Sequence, residues 1–251
     1  MNKPIGASGG NSVFLKFVST NEQYGEHVIK NYLSSIQNGD IILDIGAGSG
    51  RDLNIAQQAF PSAELHGLEF SPSCCEALSK KGIITFQTDI EKEQLPFKNC
   101  FFDIIISNQV MEHLKDIFFT LHEMARTLKV GGHMIIGVPN VASFHNRILL
   151  LLGRHPSQAK SYSAHVRTFS YHDTKKLFEV AGGGAFSITK FSGSQFYPLP
   201  RSLSRVASSI FPQLAFSIFF LIKKESEYTN SFYEYGKALT ASVFCNQDID
   251  K

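Results

Sequence analysis

The sequence predicts an α/β protein: a doubly wound, mostly parallel, seven-stranded sheet with helices on both faces and an antiparallel last strand. Three observations carry the prediction. Short apolar, β-branched runs alternate with amphipathic stretches of helical length between residues 40 and 140. The stretch "ILDIGAGSGRD" passes from strand to helix through Gly46, Gly48 and Gly50, a turn in which missing side chains let a ligand approach the backbone. Two further strand-like runs, "AFSITKFSG" and "AFSIFFLIKK", complete the strand count.

Each element has a local reason. Tyr24, Val28, Tyr32, Leu33 and Ile36 recur at helical spacing over residues 20–37, and Asn38, Gly39 and Asp40 end that helix. "IILDI" is a strand, and "RDLNIAQQAF" a helix closed by Pro61. "AELHGLE" is the second strand; "SPSCCEALSKK" is a helix with Ser71 as N-cap and Pro72 at its first position. "GIITFQTD" and "FFDIIISN" are the third and fourth strands. "DIFFTLHEMARTLKV" is an amphipathic helix ended by Gly131 and Gly132, and "HMIIGVP" the fifth strand. After Pro139 the alternation breaks: "NVASFHNRILLLLGRHP" reads as helix and loop, "SQAKSYSAHVRTFS" as irregular, and "YHDTKKLFEVAGG" as a helix. The last two strands enclose a Pro- and Ser-rich link, and beyond Glu225 no structure is expected. The chain divides into an N-terminal arm (1–19), one domain (20–224) with a cofactor half (about 40–140) and an acceptor half (about 141–224), and a tail (225–251).

Composition narrows the class. With 251 residues, 43% apolar and 18% charged, the chain can bury a full core. A net charge of +2 with scattered Lys and Arg gives no case for nucleic acid. Cys74, Cys75, Cys100 and Cys245 form no CxxC pair and no Cys/His set at zinc spacing, and His145, His155 and His172 show no metal spacing either, so no metal ligand is assigned. Reduced cysteines and an N-terminus without an apolar run point to the cytoplasm. "VASSIFPQLAFSIFFLI" is short for a membrane span and is broken by Pro212, so a turn and a buried strand are expected there; association with a membrane surface stays open.

The glycine turn fits a dinucleotide poorly. G-x-G-x-x-G would need a third glycine where Arg51 or Leu53 stands. G-x-G-x-G after "LD" resembles instead the class I S-adenosylmethionine-dependent methyltransferases. "LEFSPSCCEAL", "QTDIEKEQLPFKNCFFDIIISNQVMEHLKD" and "LKVGGHMIIGVPN" extend the resemblance, in order, over residues 40 to 140. It implies a Rossmann-like methyltransferase fold and S-adenosylmethionine as cofactor. Gly46, Ala47, Gly48 and Gly50 would pass close to its methionine and ribose portions, and Glu69 would accept hydrogen bonds from both ribose hydroxyls. Asp89 and the Ile90 amide would meet the adenine, with Phe70 packing on it. Asp44 would support the loop, and Asn108 and Gln109 would face the methionine end.

Methyl transfer from a sulfonium needs alignment more than proton transfer, and a base only where the acceptor holds its proton. His113, in "VMEHL", and His165, in "SAHVRTFS", are the candidate catalytic residues. "HxR" before an aromatic and a helix start resembles small-molecule methyltransferases of the ubiquinone and methionine-biosynthesis type, which would bring His165 and Arg167 to the acceptor. No Asn-Pro-Pro-Tyr signature is present, which favours a small, apolar or lipid-like acceptor, methylated at oxygen. A cofactor-binding protein without turnover and a nicotinamide-dependent oxidoreductase are the alternatives.

Overall fold

The structure is a computed structural model, and residues 24–240 are described. The N-terminal arm, Cys245 and the end of the tail lie outside the described residues. The strands are β1 (Ile41–Ile45), β2 (Glu64–Glu69), β3 (Ile84–Gln87), β4 (Phe102–Asn108), β5 (Leu128–Pro139), β6 (Phe186–Ser194) and β7 (Ser217–Lys224). They form one seven-stranded sheet in the order β3-β2-β1-β4-β5-β7-β6. β7 runs antiparallel to both β5 and β6, while the pairs from β3 through β5 are parallel.

Both faces of the sheet are covered, which is why its central strands read as continuous apolar runs. Leu43, Ile45, Ile105 and Ile136 belong to one core, and Ile42, Ile104, Ile106 and Ile135 to the other. Helices α1 (Glu26–Leu33), α2 (Arg51–Ala59) and α3 (Pro72–Ser79) lie in the first half of the chain, and α4 (Ile117–Thr127) precedes β5. In α1, Val28, Ile29, Tyr32 and Leu33 are buried, and the Tyr32 hydroxyl donates to the Phe219 carbonyl of β7 at 3.1 Å. β1 and β4 therefore end side by side at the sheet's strand-order reversal, where open α/β sheets bind ligands.

Several boundaries differ from expectation, each for a physical reason. The first helix spans Glu26–Leu33 within the predicted 20–37. Helix α4 stops at Thr127 rather than Val130, because Leu128 turns extended to pair with Phe102. The amides of Cys100 and Phe101 and the Nζ of Lys224 take the carbonyls that the helix leaves unsatisfied. The acceptor half contains α5 (Phe144–Leu151) and α6 (Tyr171–Lys176), the latter continuing into a π-turn at Leu177–Ala181. The expected Pro- and Ser-rich link is helical over α7 (Arg201–Ile210), started by Pro200. A tight turn at Pro212–Leu214 then feeds β7, as the sequence indicated.

The tail is a second correction. Residues Ser231–Thr240 form α8, whose Phe232 is fully buried between Phe178, Phe186 and Tyr228. No helix among the described residues is long and apolar enough to cross a membrane. Cys74, Cys75 and Cys100 are half-buried free thiols.

Candidate functional site

The glycine turn between β1 and α2 uses up its own amides. The Gly46 and Ala47 amides both donate to the Leu68 carbonyl, at 2.9 and 3.1 Å, and Gly50 donates to the Ala47 carbonyl at 2.7 Å. The Gly48 amide donates to the Glu69 carboxylate at 2.8 Å. A phosphate cradle needs such amides turned outward. This turn suits a ligand without phosphate, as S-adenosylmethionine is.

The glycines serve different ends. All three have positive φ, at 70°, 52° and 81° for Gly46, Gly48 and Gly50. A Cβ on Gly46 would lie 2.5 Å from Val110 Cγ2, and one on Gly50 would lie 2.8 Å from Leu78 Cδ2, so these two are required by packing. A Cβ on Gly48 would meet only the Gly46 carbonyl at 4.0 Å, so that side stands open. Ala47 is a packing residue: its methyl is buried, under Gly67 of β2.

A cavity of about 340 Å³ lies beside this turn. Gly46, Leu68, Glu69, Phe70, Asp89 and Ile90 line it, together with Val110, His113 and Leu114. The Glu69 carboxylate is held open by backbone: its other oxygen accepts from the Phe70 and Ser71 amides at 2.9 and 3.0 Å. Phe70 is 70% exposed, which leaves its ring free to cover a ligand. Asp89 bonds Lys92 at 2.7 Å and the Glu91 amide at 3.2 Å, and these contacts hold its carboxyl below the usual range. Glu91 in turn accepts from the Lys115 and Asp116 amides, which fixes the cavity wall across 24 residues of chain.

Asp44, Asn108 and Gln109 stand at the ends of β1 and β4, next to the turn and outside the lining of this cavity. Asp44 is fully enclosed, and burial together with the Asp52 carboxylate holds its pKa well above the usual value. The Asn108 amide donates to Asp52 at 2.9 Å and to the Tyr24 carbonyl at 3.1 Å. Asp52 is paired with Arg51, whose guanidinium sits 5.3 Å from the Tyr24 ring centroid. Asn108 Oδ1 and Gln109 Nε2 are buried without a hydrogen-bond partner, and Gln109 has a left-handed φ of 60°. Unpaired polar atoms at this depth fit a polar ligand end that would complete them. The sequence reading did not include Arg51, Asp52, Tyr24, Thr88 or Glu91. Arg51 and Asp52 directly follow the glycines and were available to it; Tyr24 joins only through folding.

The two candidate histidines, 52 residues apart in sequence, meet. Their rings pack edge to face with centroids 4.8 Å apart. The Glu112 backbone carbonyl accepts from the Val166 and Arg167 amides at 2.9 and 3.1 Å, which hangs the 165–167 segment beside His113. Arg167 serves as a clasp, donating to the Leu114 and Lys115 carbonyls, in contrast to the acceptor contact implied by resemblance. His113 lines the cavity, and its Nδ1 lies 3.2 Å from the Ala164 carbonyl. The Glu112 side chain is 2% exposed; burial pushes its pKa up to about 7. Burial and the neighbouring His113 lower the pKa of His165. Donor atoms of Glu112, His113 and His165 lie within 4.8 Å of one another, a set able to hold a metal ion although the sequence assigned none. His145 is half-buried and bonds Ser157, while His155 and His172 are exposed as expected.

Comparison with known proteins agrees with this geometry. The family model described as a methyltransferase domain matches residues 20–182. An uncharacterized protein of Methanocaldococcus jannaschii, MJ1123, is 30% identical over 139 residues, covering 55% of this chain and 60% of that protein. The ubiquinone/menaquinone biosynthesis C-methyltransferase UbiE of Desulfotalea psychrophila is 25% identical over 161 residues, covering 58% of this chain and 65% of its own. The chain thus spans under two thirds of these relatives. A Thermotoga maritima structure described as a methyltransferase, possibly acting on histamine nitrogen, superposes with a TM-score of 0.58 at 18% identity, covering 86% of this chain and 96% of that one. At that identity the likeness speaks for the fold. With its strand order, its phosphate-averse glycine turn and a family match over well over half its length, the chain belongs to the class I S-adenosylmethionine-dependent methyltransferase family.

Proposed function

We propose that the protein transfers the methyl group of S-adenosylmethionine to a small, apolar or lipid-like acceptor at a hydroxyl oxygen. The observation that carries the choice of acceptor is the packing of His165 against His113, which lines the cavity. The cofactor supplies an electrophilic methyl on sulfur, with a leaving group that needs no proton. Glu69 would hold the ribose hydroxyls, Asp89 and Ile90 the adenine, and Phe70 would cover the ring. Asp44, Asn108 and Gln109 would receive the methionine end. Alignment of the acceptor oxygen with the methyl supplies the larger part of the rate, up to ~7–11 kcal/mol for well-oriented partners.

An alcohol or phenol must also lose a proton, and the imidazole pair can accept it, His113 lining the cavity and His165 packed against it. General-base assistance of this kind contributes about 10²–10⁴-fold. A deprotonated phenol can also react at ring carbon, and the UbiE relative is named a C-methyltransferase; fragment masses of the product distinguish the two.

Calorimetric titration with S-adenosylhomocysteine, followed by methyl transfer to a panel of phenols and apolar alcohols, tests the reading. Saturable binding with turnover that falls at least 100-fold in His165→Ala supports it. Binding without turnover on any hydroxyl acceptor would leave a cofactor-binding protein, and saturable binding of a nicotinamide dinucleotide instead would return the oxidoreductase alternative.

A further inference from the structure

Charge is divided along the chain in a way that the total of +2 conceals. Residues 124–224 hold thirteen Lys or Arg and only two acids, Asp173 and Glu179; the rest of the chain holds eleven bases and twenty acids. The basic half is also where apolar side chains turn outward. Helix α7 buries Ser204 and Ser208 and exposes Leu203, Val206 and Ile210, the reverse of a helix packed on a core. Helix α5 does the same, exposing Phe144, Ile148 and Leu151 at helical spacing, with Leu151 86% exposed. Arg147 and Arg154 accompany the α5 stripe, and Arg201 and Arg205 the α7 stripe.

The two helices are joined through Phe196 and Tyr197. Phe144 at the start of α5 stacks on Phe196 at 5.8 Å, His145 meets Tyr197 at 4.6 Å, and the Phe196 amide donates to Ser204 Oγ of α7 at 2.6 Å. Both helices adjoin the end of β5 and the start of β7, the end of the sheet that carries the site: the Asn140 amide beyond β5 bonds the Gln213 and Ala215 carbonyls at 2.8 Å each. Exposed apolar stripes flanked by arginines, on a half nearly without acids, have the make-up of helices that lie in a lipid headgroup layer.

We propose that the α5–α7 face docks on an anionic lipid surface, Leu151, Leu203, Val206 and Ile210 entering the acyl boundary and the arginines meeting lipid phosphates. This goes beyond methyl transfer and stands on a surface outside the cofactor cavity, so it can fail without touching that reading.

Flotation of the full chain with vesicles of phosphatidylcholine alone, and of phosphatidylcholine with one-third phosphatidylglycerol, tests it. Binding to the anionic vesicles that weakens as salt rises, with little on phosphatidylcholine, is expected. Leu151→Asp combined with Ile210→Asp should abolish it, and Arg201→Gln with Arg205→Gln should weaken it about tenfold. Unchanged S-adenosylhomocysteine affinity in each variant shows that the fold is intact. Absence of binding to anionic vesicles, equal binding by the aspartate variant, or equally tight retention on polyglutamate, which has charge without an apolar phase, would overturn the proposal.

Discussion

Asp44 is a buried acid that costs stability once it ionises. Its folded pKa lies above its unfolded value of about 4, so the native state loses stability as pH rises from there toward the folded pKa. Asp44→Asn removes that cost. The variant should be more stable than the parent in urea at pH 8, with a smaller advantage at pH 5, while binding S-adenosylhomocysteine less tightly. An equal advantage at both pH values would contradict the assignment of the buried charge. Glu69 differs, because its carboxylate already joins the turn to β2 through the Gly48 amide. Glu69→Ala should weaken S-adenosylhomocysteine binding by about 10–100-fold in calorimetry, the scale of one or two charge-assisted hydrogen bonds. The position of each acid was legible in the sequence, Asp44 just before the glycines and Glu69 at the end of the second strand. The loss of the turn's amides to Leu68 was not, because it depends on how β1 and β2 align.

At the scale of elements, the strands were readable because a parallel sheet covered on both faces demands unbroken apolar runs. The first, fourth and fifth strands and the β7 run met that demand. What the sequence concealed were elements stabilised by distant partners. Helix α8 mixes apolar and polar residues and has a single deep anchor; Phe232→Ala should destabilise the protein by about 3–5 kcal/mol in chemical denaturation. A tail lying free of the domain would show no change. Lys224 is similar. It reads as the charged end of a strand, yet it is buried and donates to the Ala125 and Leu128 carbonyls at 2.9 and 2.8 Å, capping the end of α4 from across the sheet. Lys224→Met keeps most of the volume and leaves both carbonyls without that donor, at an expected cost of about 1–3 kcal/mol in the same measurement. The meeting of His113 with His165 belongs to this class as well: each was visible by itself, and only the backbone bonds to Glu112 bring them together.

The whole molecule joins an acidic half built on regular α/β alternation to a basic half built on irregular connections. The sheet itself crosses that division, and β7 is what closes it. The last strand in sequence lies between β5 and β6 rather than at an edge. During synthesis β1 to β5 emerge first and can pair among themselves, while β6 has no neighbour to join and the outer side of β5 stays bare until residues 217–224 leave the ribosome. A nascent chain stalled after Leu214 would thus carry the whole glycine turn and yet offer an open apolar strand to any other chain nearby. Such a fragment should aggregate unless a strand of the β7 sequence is supplied to it, which makes the order of emergence, and not only the final packing, part of how this fold is reached.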